Sequence, residues 1–152
     1  MSDTLHRFLF KNAPVKGELV HLPQTWHDIR AHRRYPAAVE KILGEMVAAC
    51  ALLSANLKFD GSLIMQIHGD GPVQLLVAEC RSDLTIRATA KLRENAEVDD
   101  TMALAQLINA KGEGHFAITL DPNNRQEGQQ PYQGIVPLTG DTIAEILAHY
   151  MA

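Results

Sequence analysis

Seven histidines, two cysteines and a Gly69-Asp70-Gly71 turn are the features of this 152-residue chain that most invite a chemical reading. His6, His21, His27, His32, His68, His115 and His149 offer metal-ligating imidazoles, but none pairs at the four-residue spacing or joins an HExxH pattern that sets two rings on one helical face. Cys50 and Cys80 make neither a disulfide framework nor a paired-thiolate motif; one lies in an apolar helix-like run, the other at a strand end, and both read as small buried hydrophobes. No metal site and no cofactor site is expected in this chain. Nucleophilic catalysis would need a strained Gly-x-Ser-x-Gly elbow or a thiol with a lowered pKa. Ser54 and Ser62 lack the elbow, and neither cysteine has clear cationic neighbours, although Arg81 adjoins Cys80. Gly69-Asp70-Gly71 follows a strand, as a phosphate cradle should, yet Pro72 and another strand come next, so no helix N-terminus aims amides at an anion. It reads as a hairpin turn. Asp60, Asp70 and Glu79 fall at turns and strand ends, where solvation or backbone capping explains them. Nothing here demands an enzyme.

The elements that must carry these residues follow from composition and periodicity. With 46% apolar residues, 21% charged residues and a net charge of -4, one globular domain is expected, without the basic field that nucleic acid requires. The cluster Arg30-Ala31-His32-Arg33-Arg34 can touch phosphate but reads as the solvated end of a short helix. The longest apolar run, Met46 to Leu53, is too short to cross a bilayer, and no signal-peptide pattern opens the chain; a cytoplasmic protein that binds no membrane is the expectation. Leu5 to Phe10 and Val15 to Leu22 are strand candidates, Thr25-Trp26-His27-Asp28 begins a short helix, and Pro36 opens a longer one. Along that helix Val39, Ile42, Leu43, Met46, Val47, Cys50 and Leu53 recur at helical spacing, and alanines fill much of the remaining face. A helix apolar nearly all round must be buried, with sheet on more than one side.

The period then switches to two. Leu63, Met65 and Ile67 share a face, as do Val73, Leu75 and Val77, and then Leu84, Ile86, Ala88 and Ala90, which predicts an antiparallel meander. A short helix around Thr101 to Asn109, strands with Phe116, Ile118 and Leu120 and from Tyr132 to Leu138, and a long surface loop over 121–131 complete the middle. Thr142-Ile143-Ala144-Glu145 is a capping box opening a final amphipathic helix. That helix has no encoded C-cap, which predicts a fragment of a longer chain. The fold class expected is α+β: mainly antiparallel sheet packed around a long buried apolar helix, with further helices at the edges. Ile64 and His68, Leu76 and Ala78, and Ile135 and Pro137 are apolar where alternation predicts polar residues. Either a second layer covers that face or it is a contact surface for a partner chain or an unfolded polypeptide.

Three ordered segments carry a family resemblance. His6-Arg7-Phe8-Leu9-Phe10-Lys11-Asn12-Ala13-Pro14-Val15-Lys16-Gly17-Glu18-Leu19-Val20, the run from Leu57 to Cys80 around Gly69-Asp70-Gly71-Pro72, and Tyr132-Gln133-Gly134-Ile135-Val136-Pro137-Leu138-Thr139-Gly140-Asp141 together resemble the N-terminal core of the heat shock protein 33 family. The resemblance implies an ATP-independent holdase chaperone that binds unfolding polypeptides under oxidative stress, usually as a homodimer. Family members continue into a linker and a zinc domain with Cys-x-Cys and Cys-x-x-Cys motifs, whose oxidation switches activity on; this chain contains neither motif, so zinc is expected only in a missing C-terminal domain. Residues 1–152 then form a chaperone core, with Ile64, Leu76 and Ile135 nominated as client-binding residues. The competing reading is a dimerisation module whose client surface lies mainly in the absent linker. A small hydrolase remains a third reading, without an assembled nucleophile and base.

Overall fold

The computed structural model of the chain describes residues 2–123, 128 and 130–152. Strands β1 (Thr4–Leu9) and β2 (Lys16–His21) form a two-stranded antiparallel ribbon, followed by helices α1 (Pro23–His32) and α2 (Ala37–Ser54). Strands β3 (Gly61–His68), β4 (Val73–Arg81), β5 (Ile86–Leu92), β6 (His115–Pro122) and β7 (Tyr132–Val136) make a five-stranded antiparallel sheet in the order β5-β4-β3-β6-β7. Helix α3 (Leu104–Ile108) precedes β6, and α4 (Ile143–Met151) ends the chain. This is the α+β architecture expected. The segment read as a long loop gives its first residues, Asp121 and Pro122, to β6, while 124–127 and 129 lie outside the described residues.

Apolar periodicity puts α2 at the centre. Val39, Leu43, Met46 and Cys50 have no exposed surface and pack with Met65, Ile67, Leu76, Ala78 and Phe116 of the large sheet. Its Cys50 thiol donates to the Leu63 carbonyl at 3.4 Å and its Ser54 hydroxyl to the Cys80 carbonyl at 3.4 Å, so this face looks onto β3 and β4. Gly44 and Ala48, on another face, look towards β2 and α1. The helix is thus bounded on several sides, which an all-round apolar sequence requires.

Helix ends are secured partly by residues distant in sequence. Pro23 opens α1 earlier than the Thr25 start expected from capping, and the orphan amides of its first turn go to Asp3, whose carboxylate accepts from Gln24 N at 2.9 Å and Thr25 N at 3.2 Å. In α4 half of the expected capping box forms: Thr142 Oγ1 accepts from Glu145 N at 3.1 Å, but Glu145 Oε2 reaches past the N-cap amide to accept from Asp141 N at 2.9 Å, and Glu45 of α2 takes the Ile143 amide at 3.1 Å. Leu84 belongs to the β4–β5 turn and not, as its alternation suggests, to β5: its φ of 66° is outside strand geometry, and its amide closes on Arg81 O at 2.8 Å.

The Gly69-Asp70-Gly71-Pro72 segment is the β3–β4 connection and also the seat of α3. Asp70 N donates to Ile108 O at 3.1 Å, and Asp70 Oδ2 accepts from Lys111 N at 3.0 Å and Glu113 N at 2.8 Å. Arg93 bridges the carbonyls of Gly69 and Gly71. The motif is a structural knuckle whose anion site is filled by its own carboxylate. Burial alone would raise the Asp70 pKa, but the backbone amides outweigh it and hold the carboxyl below its ordinary range.

Candidate functional site

Two apolar surfaces are built by the strands. On the outer face of the large sheet, Ile64 stands between Glu79 of β4 and Thr119 of β6, while the next row runs Val77, Gln66, Ala117 and Ile135 across β4, β3, β6 and β7. Ile135 is 63% exposed and Ile64 half-buried. Glu79, almost buried, pairs with Arg87 Nη2 at 2.6 Å and so places a neutralised charge beside Ile64. Among the described residues no helical layer is laid over this face; the helices that meet the sheet do so from α2's side, at β5, at the β3–β4 turn or at β7.

Leu76 is not on that face. It has no exposed surface and lies in the core with Ala78 and Cys80. The register of β4 against β5 shifts between Val73 and Leu75, and this bulge turns Leu76, Ala78 and Cys80 inward while Leu75 and Val77 point out. Simple alternation from Val73 fails for that reason. Because residues 73 to 78 are apolar at nearly every position, periodicity could not reveal the slip. Of the residues nominated, the structure brings Ile64 and Ile135 onto one face and removes Leu76 from it.

The second surface escaped the sequence reading. Phe8, Leu9, Phe10, Val15 and Leu19 of the β1–β2 hairpin are between 46% and 80% exposed. The Phe8 and Phe10 rings stack with centroids 6.0 Å apart, and Phe8 lies over Gly17, where a Cβ would overlap the ring. Between this ribbon and the end of α2 runs a groove of about 920 Å³ lined by Phe8, Leu9, Leu52, Leu53 and Leu57. Polar contacts fix its wall: Arg7 Nη2 donates to Ala55 O at 2.6 Å, Arg7 Nε lies 3.3 Å from Glu18 Oε1, and Asn56 Nδ2 donates to Glu18 Oε2 at 3.0 Å. The available signal was the unbroken Phe8-Leu9-Phe10 run, which gives apolar side chains to both faces of a strand in a ribbon too thin to bury both.

Neither cysteine is poised for chemistry. Burial pushes the Cys50 thiol well up, with Cys80 adding to the effect, and burial likewise raises Cys80. A cysteine binds zinc as its thiolate, which burial disfavours at both positions, and among the described residues no group of three or more His, Cys, Asp or Glu side chains gathers to hold a metal. The residues present do not fit the zinc centre that the family resemblance implies. In native protein both thiols are expected to resist a disulfide reagent such as DTNB, reacting at the rate of core opening, and to titrate at once in denaturant. Prompt native reaction would contradict their burial.

Comparison with known proteins agrees with the fold. A family model described as Hsp33 protein matches residues 3–152. The 33 kDa chaperonin of Methylobacillus flagellatus is 50% identical over 152 residues, covering 99% of this chain and 49% of that protein. That of Chromobacterium violaceum is 49% identical over 150 residues, covering 98% and 48%. The crystal structure of the 33 kDa chaperonin (heat shock protein 33 homolog) of Thermotoga maritima superposes with a TM-score of 0.75 at 22% identity, over 97% of this chain and 50% of that one, a likeness of fold. The chain spans about half the length of the curated relatives it matches. With a family model matching almost every residue and a relative 50% identical along the chain, the chain belongs to the Hsp33 family.

Proposed function

We propose that this chain is the polypeptide-binding core of an ATP-independent holdase chaperone, cytoplasmic and homodimeric, that keeps unfolding proteins from aggregating under oxidative stress. The observation that carries the reading is the β1–β2 ribbon with its groove: five large apolar side chains stand in solvent where a two-layer fold would hide them. A holdase needs no catalytic residue. Apolar surface lowers the free energy of an exposed client segment, and flanking charges such as Arg7, Lys16 and Glu18 keep the complex soluble. Ile64 and Ile135 form a second, separate apolar surface on the outer face of the sheet; Leu76 lies beneath it in the core. The oxidation switch of the family, a zinc-bound set of four cysteines, lies outside these residues, and Cys50 and Cys80 take no part in it.

The chain should suppress aggregation of a thermally unfolding client at stoichiometric ratio in both reducing and oxidising buffer. Leu9→Glu with Leu19→Glu should cut that suppression several-fold while changing the free energy of unfolding by no more than about 1 kcal/mol, as for two surface changes. No suppression by the unmodified chain in either buffer, with the longer family protein active, would reject the reading. The alternative of a dimerisation module is favoured by β7, which ends the sheet among the described residues and carries the exposed Tyr132 and Ile135. Cross-linking separates the two: ribbon-to-client cross-links support capture, whereas ribbon or β7 cross-links only between copies support the module.

A further inference from the structure

Helix α1 is attached unlike the rest of the fold. None of its ten residues is buried, and Leu22 at its N-cap supplies no side-chain bond. Trp26 lies over Gly44 of α2, with ring atoms 3.5 to 3.8 Å from where a Gly44 Cβ would sit. Beside it a cavity of about 320 Å³ remains among Val20, Leu22, Trp26, Val47 and Ala48. Trp26 and Ile29 pack against the core but stay only partly buried, so apolar contact holds this helix less firmly than it holds α2.

Polar clasps at the two ends add to that partial packing. At the first, the Asp3 carboxylate takes the amides of Gln24 and Thr25 and the Thr25 hydroxyl, across 21 and 22 residues of sequence. At the second, Glu40 of α2 lies 3.4 Å from Arg30 Nε, accepts from Arg34 Nε at 2.7 Å, and takes the Tyr35 amide at 3.2 Å. Tyr35 then anchors the connection to β5, its hydroxyl accepting from Ala90 N at 3.1 Å and meeting Thr89 Oγ1 at 3.1 Å. We infer that α1 is a releasable strap, clasped by Asp3 at one end and Glu40 at the other, which covers an apolar strip of α2 and opens while the core stays folded.

Local opening is cheapest where few apolar contacts must break, and a ten-residue helix has little stability once detached. Release would bare Leu22, Val47 and Ala48 together with Trp26 itself. The charged groups around the clasps set the pH response. Asp3 faces His21 at the end of β2, and Asp28 of α1 is tied to Gln24 at 2.8 Å. Glu40 faces Arg34 of the connection and Arg30 of α1, while β5 meets this end through the Thr89 hydroxyl and Ala90 amide. The Arg34 hydrogen bond is the chief cause holding the Glu40 carboxyl low; at Asp3 burial acts upward but is outweighed by the Thr25 and Gln24 bonds. Both folded-state pKa values are depressed, so both clasps are intact at neutral pH and weaken as pH falls below about 4 through those values.

Trp26 is the chain's one tryptophan, so its emission reports on the strap directly. In the double variant Asp3→Ala, Glu40→Gln at neutral pH, emission should shift to the red and acrylamide quenching rise at least twofold, with the main thermal transition retained. In the unmodified chain, α1 amides should show protection factors at least tenfold lower than those of α2, and lower still, relative to the intrinsic exchange rate at each pH, as acid titrates the clasps. Unchanged Trp26 quenching in a folded double variant overturns the inference. So does exchange of α1 and α2 amides through one common opening, a measurement that decides the matter even if the variant does not fold. Client binding enters neither readout.

Discussion

Leu76→Glu should abolish the cooperative native state, whereas Ile135→Glu should leave it standing. Truncating a buried leucine costs about 2–5 kcal/mol, and placing an unpaired carboxylate in its cavity adds several more. Against a total stability of about 5–15 kcal/mol for a domain, that sum removes most or all of the folded state. Leu76 meets this description because it is wholly enclosed by α2 and the inner faces of β3 and β4. Ile135 does not: it is 63% exposed on β7, and surface substitutions there are expected within about 0.5 kcal/mol. Urea denaturation of the two variants side by side is the measurement. A Leu76→Glu protein with a normal midpoint would place that side chain outside and restore the simple alternation of β4.

Gly69→Ala carries the next largest expected effect, at the centre of the motif that most resembles the family. A Cβ at Gly69 would overlap the Val73 carbonyl and lie 3.3 Å from Ile108 Cα, both backbone. One at Gly71 would come within 2.7 Å of the Gln106 and Leu107 carbonyls. Neither glycine has a positive φ, so the requirement is for close approach and not for a special conformation. Relief must come from separating β3–β4 from α3, which strains the Asp70 contacts to Ile108, Lys111 and Glu113 and the Arg93 bridge. Overpacking of this kind costs about 3 kcal/mol, or roughly 6–12 °C in Tm for a chain this size. Gly112→Ala is the control: at a φ of 76° with open space around it, it should cost only about 1 kcal/mol of backbone strain. Equal effects at the two sites would remove the steric explanation.

Much of this architecture was legible in the sequence because its signals are local. The α2 stripe, the period-two run of β3, the Thr142 cap of α4 and Pro36 at the start of α2 each bring a pattern whose physics acts within a turn or a strand. The placement of Leu76 was not, since a bulge is a choice about register with a neighbouring strand. Nor was the exposure of the ribbon: Phe8 and Leu9 look like core until their sheet is seen to hold, among the described residues, two strands. The caps are divided the same way. Thr142 secures α4 from inside its own segment, while Asp3, just before β1, secures α1 from twenty-one residues earlier, and no local pattern announces it.

By itself, then, the sequence determined the element types, the buried central helix, the family resemblance and the two ordinary, apolar cysteines, because each depends on side-chain type at short spacing. The tertiary structure alone decided that Gly69-Asp70-Gly71 seats α3 against β3–β4, that Leu76 turns inward while Ile135 turns out, that a bare apolar ribbon borders a groove, and that α1 hangs on two carboxylates. Those outcomes depend on which distant backbone arrives beside each residue, a matter settled by packing across the whole chain.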